Sequence, residues 1–387
     1  MKQQIIDHLK TIKPVSSHSH HLSAAEYVGM SLAGVFDNSY CRWMDATPRT
    51  AAEAENYRVK NGCNNYARWL FKAIEGLYGL PFSGANFDEL SRRVAAAHAD
   101  PAWQLRILEE RCGYERIMLD AYWKPGDDLG LRRLFEPVLR CNMFAVCVRP
   151  GQTDHNGNDP FAFLGRQFDD FDDYLDAIRE LMTPFKAIKF AVAYDGDNDI
   201  RHFDKPKARQ AFHNPSAASP HRKDFYDYMI FRLCEFAGEL GIPVQIHTGM
   251  GNLNKSAPLF LKELIAALPR VTFDLFHCGV PWTADLLALM HNYPNVYADL
   301  CWLPLISTTI ARRFIREALE VGNAHRIVWG CNTWTSEESY GALLAGQETI
   351  AAALSDMHDD GAISQNDATY IAGRIWRENG MALYGLR

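Results

Sequence analysis

The chain has 387 residues and a formal net charge of −7 at pH 7, without a long run of either sign. This charge argues against nucleic acid or an anionic membrane surface as the main partner. Hydrophobic residues make up 48% of the chain, so a substantial core can be buried. No apolar run approaches the roughly 20 residues of a membrane-spanning helix. The N-terminal segment is too polar for a secretory signal, and the nine cysteines show no CxxC spacing, so we expect reduced thiols in a cytoplasmic protein.

Apolar runs bounded by helix breakers predict eight strands. They are Pro14–Ser17, Arg116–Asp120, Met143–Arg149, Ala187–Ala193, Pro243–His247, Val271–Phe276, Val296–Asp299 and Arg326–Cys331. Most runs are continuous rather than alternating, as expected for parallel strands covered on both faces. Amphipathic helical patterns lie between the later strands. The alternation predicts an α/β fold, a (β/α)8 TIM barrel, with a doubly wound open sheet as the alternative.

The alternation is interrupted after the first strand. Residues 22–104 read as several helices, of which "NNYARWLFKAIEGLYG" is the clearest. An insertion at this point emerges at the carboxyl-terminal mouth of a barrel, where active sites form. We therefore predict a barrel from residues 1–21 and 105–387, and a helical cap from residues 22–104 that covers the substrate. The alternative is a subdomain or oligomer contact without a role in the site. A polar stretch at residues 195–223 predicts a long loop over the same mouth.

Four histidines occur in three contexts where a predicted strand ends: "VSSHSHHL", "VQIHTGMG" and "LFHCGVPW". His18 and His20 lie on one face of their strand because side chains alternate with period 2. Imidazole is a good ligand for zinc, manganese, iron or nickel, so this pair is half of a metal site. In a barrel, His247 and His277 face the same mouth. The sequence therefore predicts a metal centre there.

These motifs, together with "PNVYADLCW", "IVWGCNTWTSEESYG" and the ending "ENGMALYGL", make most of the chain resemble the metal-dependent amidohydrolase superfamily. The resemblance is strongest to its amidohydrolase-related branch. It implies that His18 and His20 bind a metal, and that His247 is a further ligand or lies against it. His277 would face the substrate or a second metal. We expect one divalent ion, zinc before manganese. Oligomers are common in this group, which implies a possible homo-oligomer.

The residue at the end of strand eight departs from the pattern of that group. An aspartate is usual there, as metal ligand and as proton acceptor, whereas this chain has Asn332 in "GCNTW". An amide oxygen can bind a metal, but it cannot accept a proton near neutral pH. Loss of a general base costs about 10²- to 10⁴-fold in rate. We favour an introduced Asp→Asn change that traps a bound ligand. A natural asparagine, marking changed chemistry or an inactive site, is the alternative.

Lys189, in "AIKFAVAY", is the next predicted catalytic residue. Some members of the superfamily carry a carboxylated lysine at the corresponding position, where it bridges two metals. A lysine that binds a substrate carboxylate or pairs with an acid is the alternative.

Basic residues near the predicted mouth favour a small acidic substrate. Arg149 ends the predicted third strand, and Arg42 and Arg68 lie in the predicted cap. Tyr194, after the fourth strand, and Trp334, after the eighth, are further predicted substrate contacts.

Two branches of the superfamily share motifs with this chain. "YCRWM" and "NFDEL" resemble the capping region of uronate isomerases, whereas "IHTGMGN" and the ending resemble the amidohydrolase domain fused to glutamine synthetase-like proteins. Uronate isomerases have Asp-Ser-Arg at strand eight, but Thr333 and Trp334 follow Asn332 here. We therefore expect a metal-dependent hydrolase of an amide or lactone bond, in which His277 polarises the carbonyl. The alternatives are a uronate-type aldose–ketose isomerase and, if Asn332 is native, a non-catalytic metal-binding or ligand-sensing protein.

Overall fold

A computed structural model describes residues 1–214 and 221–386. Its strands are short and pair in parallel in chain order. They are β1 (Val15–Ser19), β2 (Arg116–Leu119), β3 (Phe135–Pro137), β4 (Leu139–Arg140), β5 (Ile188–Phe190), β6 (Val244–His247), β7 (Phe273–Phe276), β8 (Val296–Asp299) and β9 (Ile327–Val328).

Strands β3 and β4 are separated only by Val138 and together occupy the third of eight strand positions. The amide of Val138 donates to Leu119 of β2, and the amide of Leu139 donates to Ala187 beside β5. The last strand returns to the first: the Ser17 amide donates to the Trp329 carbonyl at 3.0 Å. The fold is therefore a (β/α)8 barrel, as the sequence predicts.

Helices surround this barrel and fill the connections between its strands. Helix α1 (Lys2–Lys10) precedes β1, and five helices follow it: α2 (Leu32–Asp37), α3 (Ala51–Asn61), α4 (Asn65–Tyr78), α5 (Phe87–His98) and α6 (Trp103–Arg106). Between β4 and β6 lie α7 (Asn142–Val146), α8 (Pro160–Leu164), α9 (Phe171–Met182), α10 (Lys205–His213) and α11 (Arg222–Leu240). The remaining helices are α12 (Lys262–Ala267), α13 (Thr283–Asn292), α14 (Leu303–Ile306), α15 (Thr308–Val321), α16 (Ser336–Asp359), α17 (Gln365–Gly373) and α18 (Asn379–Leu383).

The third predicted strand is wrong. Residues 142–146 of that apolar run form helix α7, and the strand lies earlier, at Phe135–Pro137 and Leu139–Arg140. The run is buried in either conformation, so hydrophobicity alone does not distinguish a strand from a short helix. The true strand carries Glu136, Pro137 and Arg140, which interrupt its apolar pattern.

The helices between β1 and β2 are fixed to the barrel by a buried carboxylate. Glu337, in the first turn of α16, contacts His98 Nε2 at 2.7 Å and accepts hydrogen bonds from Tyr78 Oη at 2.7 Å and Gln104 Nε2 at 2.8 Å. Burial opposes ionisation of Glu337, but these partners outweigh it and hold its pKa below the usual value. Three segments of the insertion are thus anchored to one helix of the barrel.

The C-terminal segment closes the other end of the barrel. Tyr384 Oη donates a hydrogen bond to Asp274 on β7 and accepts one from Gln245 Nε2 at 2.9 Å. Asp274 lies against Asp299 of β8, and burial raises the pKa of both carboxyls. Two buried acids in contact repel each other when both are ionised, so they retain a proton between them.

No helix within residues 1–214 and 221–386 is long and apolar enough to cross a bilayer. All nine cysteines are free thiols, and Cys63 is the one that is exposed. Their burial fits the expectation of reduced thiols that pack as small apolar side chains.

Candidate metal centre and substrate cavity

A cavity of about 530 Å³ lies at the carboxyl-terminal mouth of the barrel. It brings together eight of the predicted site residues: His18, His20, Lys189, Tyr194, His247, His277, Asn332 and Trp334. They come from five strand ends and from the loop after β5. The order of the strands places them around one opening, as a barrel requires.

The predicted arginines do not reach this cavity. Arg149 does not end a strand but follows helix α7, and its side chain is exposed. Arg42 and Arg68 are also exposed, and Arg68 packs over the ring of Trp69 instead. The arginine that lines the cavity is Arg140, at the end of β4. The sequence placed the third strand at residues 143–149, so Arg140 was not recognised as a residue at a strand end.

His18 and His20 form the core of a metal-type cluster with Asp120, which directly follows β2. One ligand atom from each of these three residues lies within 4.8 Å of the others. His20 Nδ1 is 3.0 Å from the carbonyl oxygen of Asp120. A carbonyl can only accept, so Nδ1 carries the proton and Nε2 has the lone pair. In this structure Tyr122 Oη lies 3.0 Å from Nε2 and donates to it, so a bound ion would replace that hydrogen bond.

Two further atoms of this cluster fit a bound ion. His18 Nδ1 and Asn332 Oδ1 are both buried without a hydrogen-bond partner. Buried polar atoms are usually satisfied, so these two unpartnered atoms, on residues that line the same cavity as His20, suit a divalent cation. Asn332 has a φ of 53°, a left-handed conformation that asparagine tolerates better than most residues. Burial lowers the pKa of His20 to about 4 and holds that of His18 well below its usual value, so both rings are neutral and able to ligate.

Asp120 is itself neutralised by Arg140. The guanidinium donates to the two carboxylate oxygens at 2.9 and 2.7 Å, and it lies 4.2 Å from the centroid of the Tyr122 ring. Burial opposes ionisation of Asp120, but the charge and hydrogen bonds of Arg140 keep its pKa below the usual value. From the sequence, Asp120 was predicted only as the end of a strand. An acid at a strand end next to a His-X-His strand was the available signal.

His247 and His277 contact each other rather than the His18 cluster. His277 Nε2 lies 3.0 Å from His247 Nδ1, while the outer nitrogens face carbonyl oxygens of Cys301 at 3.0 Å and Met250 at 2.6 Å. Burial lowers the pKa of both rings, that of His247 to about 3. Two neutral rings carry two N–H groups, whereas these three contacts require three. One of the three contacts therefore has no proton and is not a hydrogen bond. A metal-binding role for His247 stays a prediction.

Lys189 enters the cavity from β5 without a hydrogen-bond partner. Its Nζ lies 3.3 Å from the centroid of the Phe276 ring. Burial lowers the pKa of Lys189 to about 7, although the charge of Asp120 acts in the opposite direction. An amine with this pKa can serve either as a cation or as a proton acceptor near neutral pH.

Aromatic rings from the insertion and from the loop after β8 form the opposite wall. Tyr40 stacks on Tyr66 and Trp302 with centroid distances of 5.3 and 5.0 Å. Trp302 has a φ of 67°, an unusual conformation for a bulky side chain. It follows a turn in which Asp299 Oδ1 accepts from the Cys301 amide at 2.7 Å. The sequence predicted a covering role for the insertion, but gave no signal for these particular rings.

Comparisons with known proteins agree with this geometry. Residues 167–358 match the family model described as Amidohydrolase. Protein fluG from Emericella nidulans is 33% identical over 150 residues, which are 37% of this chain and 17% of the length of that protein. The aligned part of that relative is thus a small share of it.

Three solved structures share the fold over nearly the whole chain. Uronate isomerase from Thermotoga maritima has a TM-score of 0.76 at 14% identity, covering 99% of this chain and 97% of its own. Glucuronate isomerase from Caulobacter crescentus has a TM-score of 0.76 at 16% identity, with coverages of 100% and 94%. A candidate metal-dependent hydrolase from Lactobacillus casei has 0.73 at 15% identity, with coverages of 98% and 97%. The family model thus shows an amidohydrolase-family domain at residues 167–358, and the three structures show that the fold of the whole chain is similar to that of the uronate isomerases.

Proposed function

We propose that this protein is a metal-dependent hydrolase that cleaves an amide or lactone bond in a small acidic molecule. The observation that carries the proposal is the charge pattern of the mouth cavity. Lys189 and Arg140 line it, and no carboxylate side chain lines it within the part of the chain that the structure describes. Because Arg140 is paired with Asp120, the positive charge of the cavity would come from the metal ion and from the protonated fraction of Lys189, and it favours an anionic ligand.

The metal would be held by His18 and His20, with Asp120 and Asn332 as the oxygen donors beside them and His247 as a further candidate. Zinc is the first candidate because imidazole is a common ligand of zinc. Manganese is the second because it prefers oxygen donors. When bound, the ion would act as a Lewis acid that lowers the pKa of water and polarises a carbonyl.

The remaining groups take separate roles. Lys189, unpartnered and near neutral in pKa, would accept the proton that Asn332 cannot take. His277, whose Nδ1–H is held by the Cys301 carbonyl, would present the Nε2 lone pair to the substrate and accept a hydrogen bond from the amide N–H. Arg140, held by Asp120, would bind the acidic group of the substrate with its remaining N–H donors.

An isomerase is the second candidate, and the fold likeness to uronate isomerases favours it. Isomerisation moves protons within the substrate and consumes no water. However, a uronate carries a hydroxyl on nearly every carbon, and the cavity offers it mostly aromatic rings: Tyr40, Trp43, Tyr66, Tyr122, Tyr194, Trp302 and Trp334. Such a wall suits a substrate with a flat or apolar part.

The test is turnover in ¹⁸O-labelled water against a panel of acidic amides, lactones and uronates. Hydrolysis places one labelled oxygen in the product acid, whereas isomerisation gives a product of unchanged mass. Turnover of uronates alone would replace the hydrolase with the isomerase. No turnover of any compound by the metal-loaded protein or by Asn332→Asp would support a non-catalytic role.

A further inference from the structure

We propose that His155 is a further substrate-binding residue of the mouth cavity, and that its Nε2 accepts a hydrogen bond from an O–H or N–H group of the substrate. His155 lies between helices α7 and α8 and lines this cavity, with 27% of its side chain exposed. The chemistry proposed above does not use it. The inference rests on the proposed hydrolase and narrows its substrate to an acid that also carries a hydrogen-bond donor.

One edge of the His155 ring is held by a carboxylate. His155 Nδ1 lies 2.7 Å from Asp195 Oδ2, and the backbone N–H of His155 donates to Asp195 Oδ1 at 2.7 Å. Asn142 Nδ2, on α7, donates to the same carboxylate at 2.9 Å. A carboxylate only accepts, so Nδ1 carries the proton and the neutral ring has its lone pair at Nε2. Asp195 thus fixes the orientation and the tautomer of the ring, as the aspartate of a Ser-His-Asp triad does.

The segment that carries His155 is fixed on both sides of this residue. Asp154 Oδ1 accepts hydrogen bonds from the backbone N–H groups of Asn156 at 2.9 Å and Asn158 at 3.0 Å. Asn156 Oδ1 in turn accepts from Arg140 Nη1 at 3.1 Å, which ties the segment to the end of β4. The ring is therefore in position before a ligand arrives, and little conformational freedom is lost on binding.

The other edge of the ring is open to the cavity. Since Nδ1 is directed at Asp195, Nε2 points away from it, and Nε2 has no hydrogen-bond partner among the residues that the structure describes. The ring centroid of Tyr194 lies 5.2 Å from that of His155 and 5.1 Å from that of His247. One tyrosine side chain thus separates His155 from the strand-end histidines. The donor that meets Nε2 would belong to a part of the substrate away from the cleaved bond.

A second histidine has the same pairing outside the cavity. His202 Nδ1 lies 2.7 Å from Asp227 Oδ2, and the backbone N–H of His202 donates to the same oxygen at 3.0 Å. Its side chain is 54% exposed, and it does not line the mouth cavity. His202 is therefore the matched control for His155.

Binding is tested without turnover, with small aromatic acids as probes. The zinc-loaded full chain is titrated at pH 8 with 2-, 3- and 4-hydroxyphenylacetate and with the three corresponding fluorophenylacetates, followed by tryptophan fluorescence and calorimetry. Fluorine is close to a hydroxyl in size but donates no hydrogen bond. We expect at least one hydroxy acid to bind about three- to tenfold more tightly than its fluoro counterpart, as one hydrogen bond allows. His155→Phe should remove this preference, and His202→Phe should keep it.

Asp195→Asn is the second variant, because it removes the carboxylate that fixes the proton on Nδ1 while His155 stays in place. It should also abolish the preference for the hydroxy acid. Equal affinity within all three pairs, no binding of any of the six acids, or a preference that persists in His155→Phe would overturn the inference. None of these outcomes involves turnover, so the hydrolase is still decided by the ¹⁸O experiment. A preference that depends on His155, in a protein that hydrolyses nothing in labelled water, would refute the hydrolase and keep the binding residue.

Discussion

The strand ends and the insertion between β1 and β2 line the same cavity but supply different kinds of side chain. The strand ends contribute imidazoles, an amine, a guanidinium and an amide, whereas the insertion contributes the rings of Tyr40, Trp43 and Tyr66. The strand-end side chains are held in place by the paired strands of the barrel. The positions of the aromatic rings depend on how the insertion packs against the barrel. Reactive groups and recognition surface can therefore change independently in this architecture, and substitutions on the two sides should alter different kinetic constants.

The largest effect is expected from His18. We expect His18→Ala to remove the metal and lower activity on the order of 10⁴-fold, because the site loses a ligand that no neighbour replaces. Elemental analysis and turnover measure both. His291→Ala, at an exposed histidine on α13, is the matched control. Full metal content in His18→Ala would contradict the proposed centre.

Lys189 should affect the chemical step. Lys189→Met keeps the length of the side chain but removes the amine, so kcat should fall on the order of 10²- to 10³-fold with a small change in KM. For a base with a pKa of about 7, the rate of the native enzyme rises with pH through neutrality, and this limb disappears in the variant. Lys186→Met, three residues earlier and exposed, should leave both constants unchanged. A falling limb above pH 7 would instead indicate a cationic role.

Asn332→Asp restores the acid that is usual in the superfamily. We expect metal affinity to increase about tenfold or more, because a carboxylate is a stronger ligand than an amide. Competition with a chelator measures the change. An unaltered affinity would mean that residue 332 does not face the ion. An asparagine codon in the native gene would rule out an introduced substitution.

On the insertion, Trp43 is the clearest test of recognition. Its ring is 63% exposed at the rim and lies 4.9 Å from that of Tyr40. Trp43→Ala should raise KM about three- to tenfold with kcat within about twofold, since an aromatic contact contributes around 1 kcal/mol. Steady-state kinetics decide this, with Val59→Ala, an exposed residue on α3 outside the cavity, as control. A loss in kcat alone would contradict the assignment of substrate recognition to the insertion and of catalysis to the strand ends.

The smallest effect on activity is expected from Glu338, which joins the insertion to the loop after the last strand. Glu338 accepts hydrogen bonds from the Tyr40 amide at 2.7 Å and the Trp334 amide at 3.3 Å, and burial raises its pKa from 4.5 to about 8. A raised pKa favours the folded state at low pH, and this stability is lost as the pH rises from about 4.5 through 8. Urea unfolding from pH 5 to 9 should show a slope of at most about 1.4 kcal/mol per pH unit from this group, absent in Glu338→Gln. Its neighbour Glu337, with a lowered pKa, should give the opposite slope on acidification.

The sequence was sufficient for the barrel and for the strand-end residues, because period-2 spacing and position at a strand end depend on local pattern. It failed where pairing is long-range. Arg140, at the end of β4, forms an ion pair with Asp120, which follows β2. The spacing of these two residues along the chain does not predict this contact. Arg42 lies next to the cavity in sequence, two residues after Tyr40, yet the turn of the chain points it to solvent. Which side of such a turn faces inward depends on docking, and one sequence does not contain that information.

Closure of the barrel has a consequence for the order of synthesis. Strand β1 leaves the ribosome first, but its second neighbour is formed by residues 329–333, and Asp274 gains its tyrosine partner only from residue 384. A nascent chain that has been made as far as residue 320 would already contain His18, His20, His247 and His277 without the last strand that completes the barrel around them. Proteins of this size commonly fold through intermediates while they are made. Metal capture is therefore expected only after the segment that contains residues 329–384 has been made and has closed the barrel.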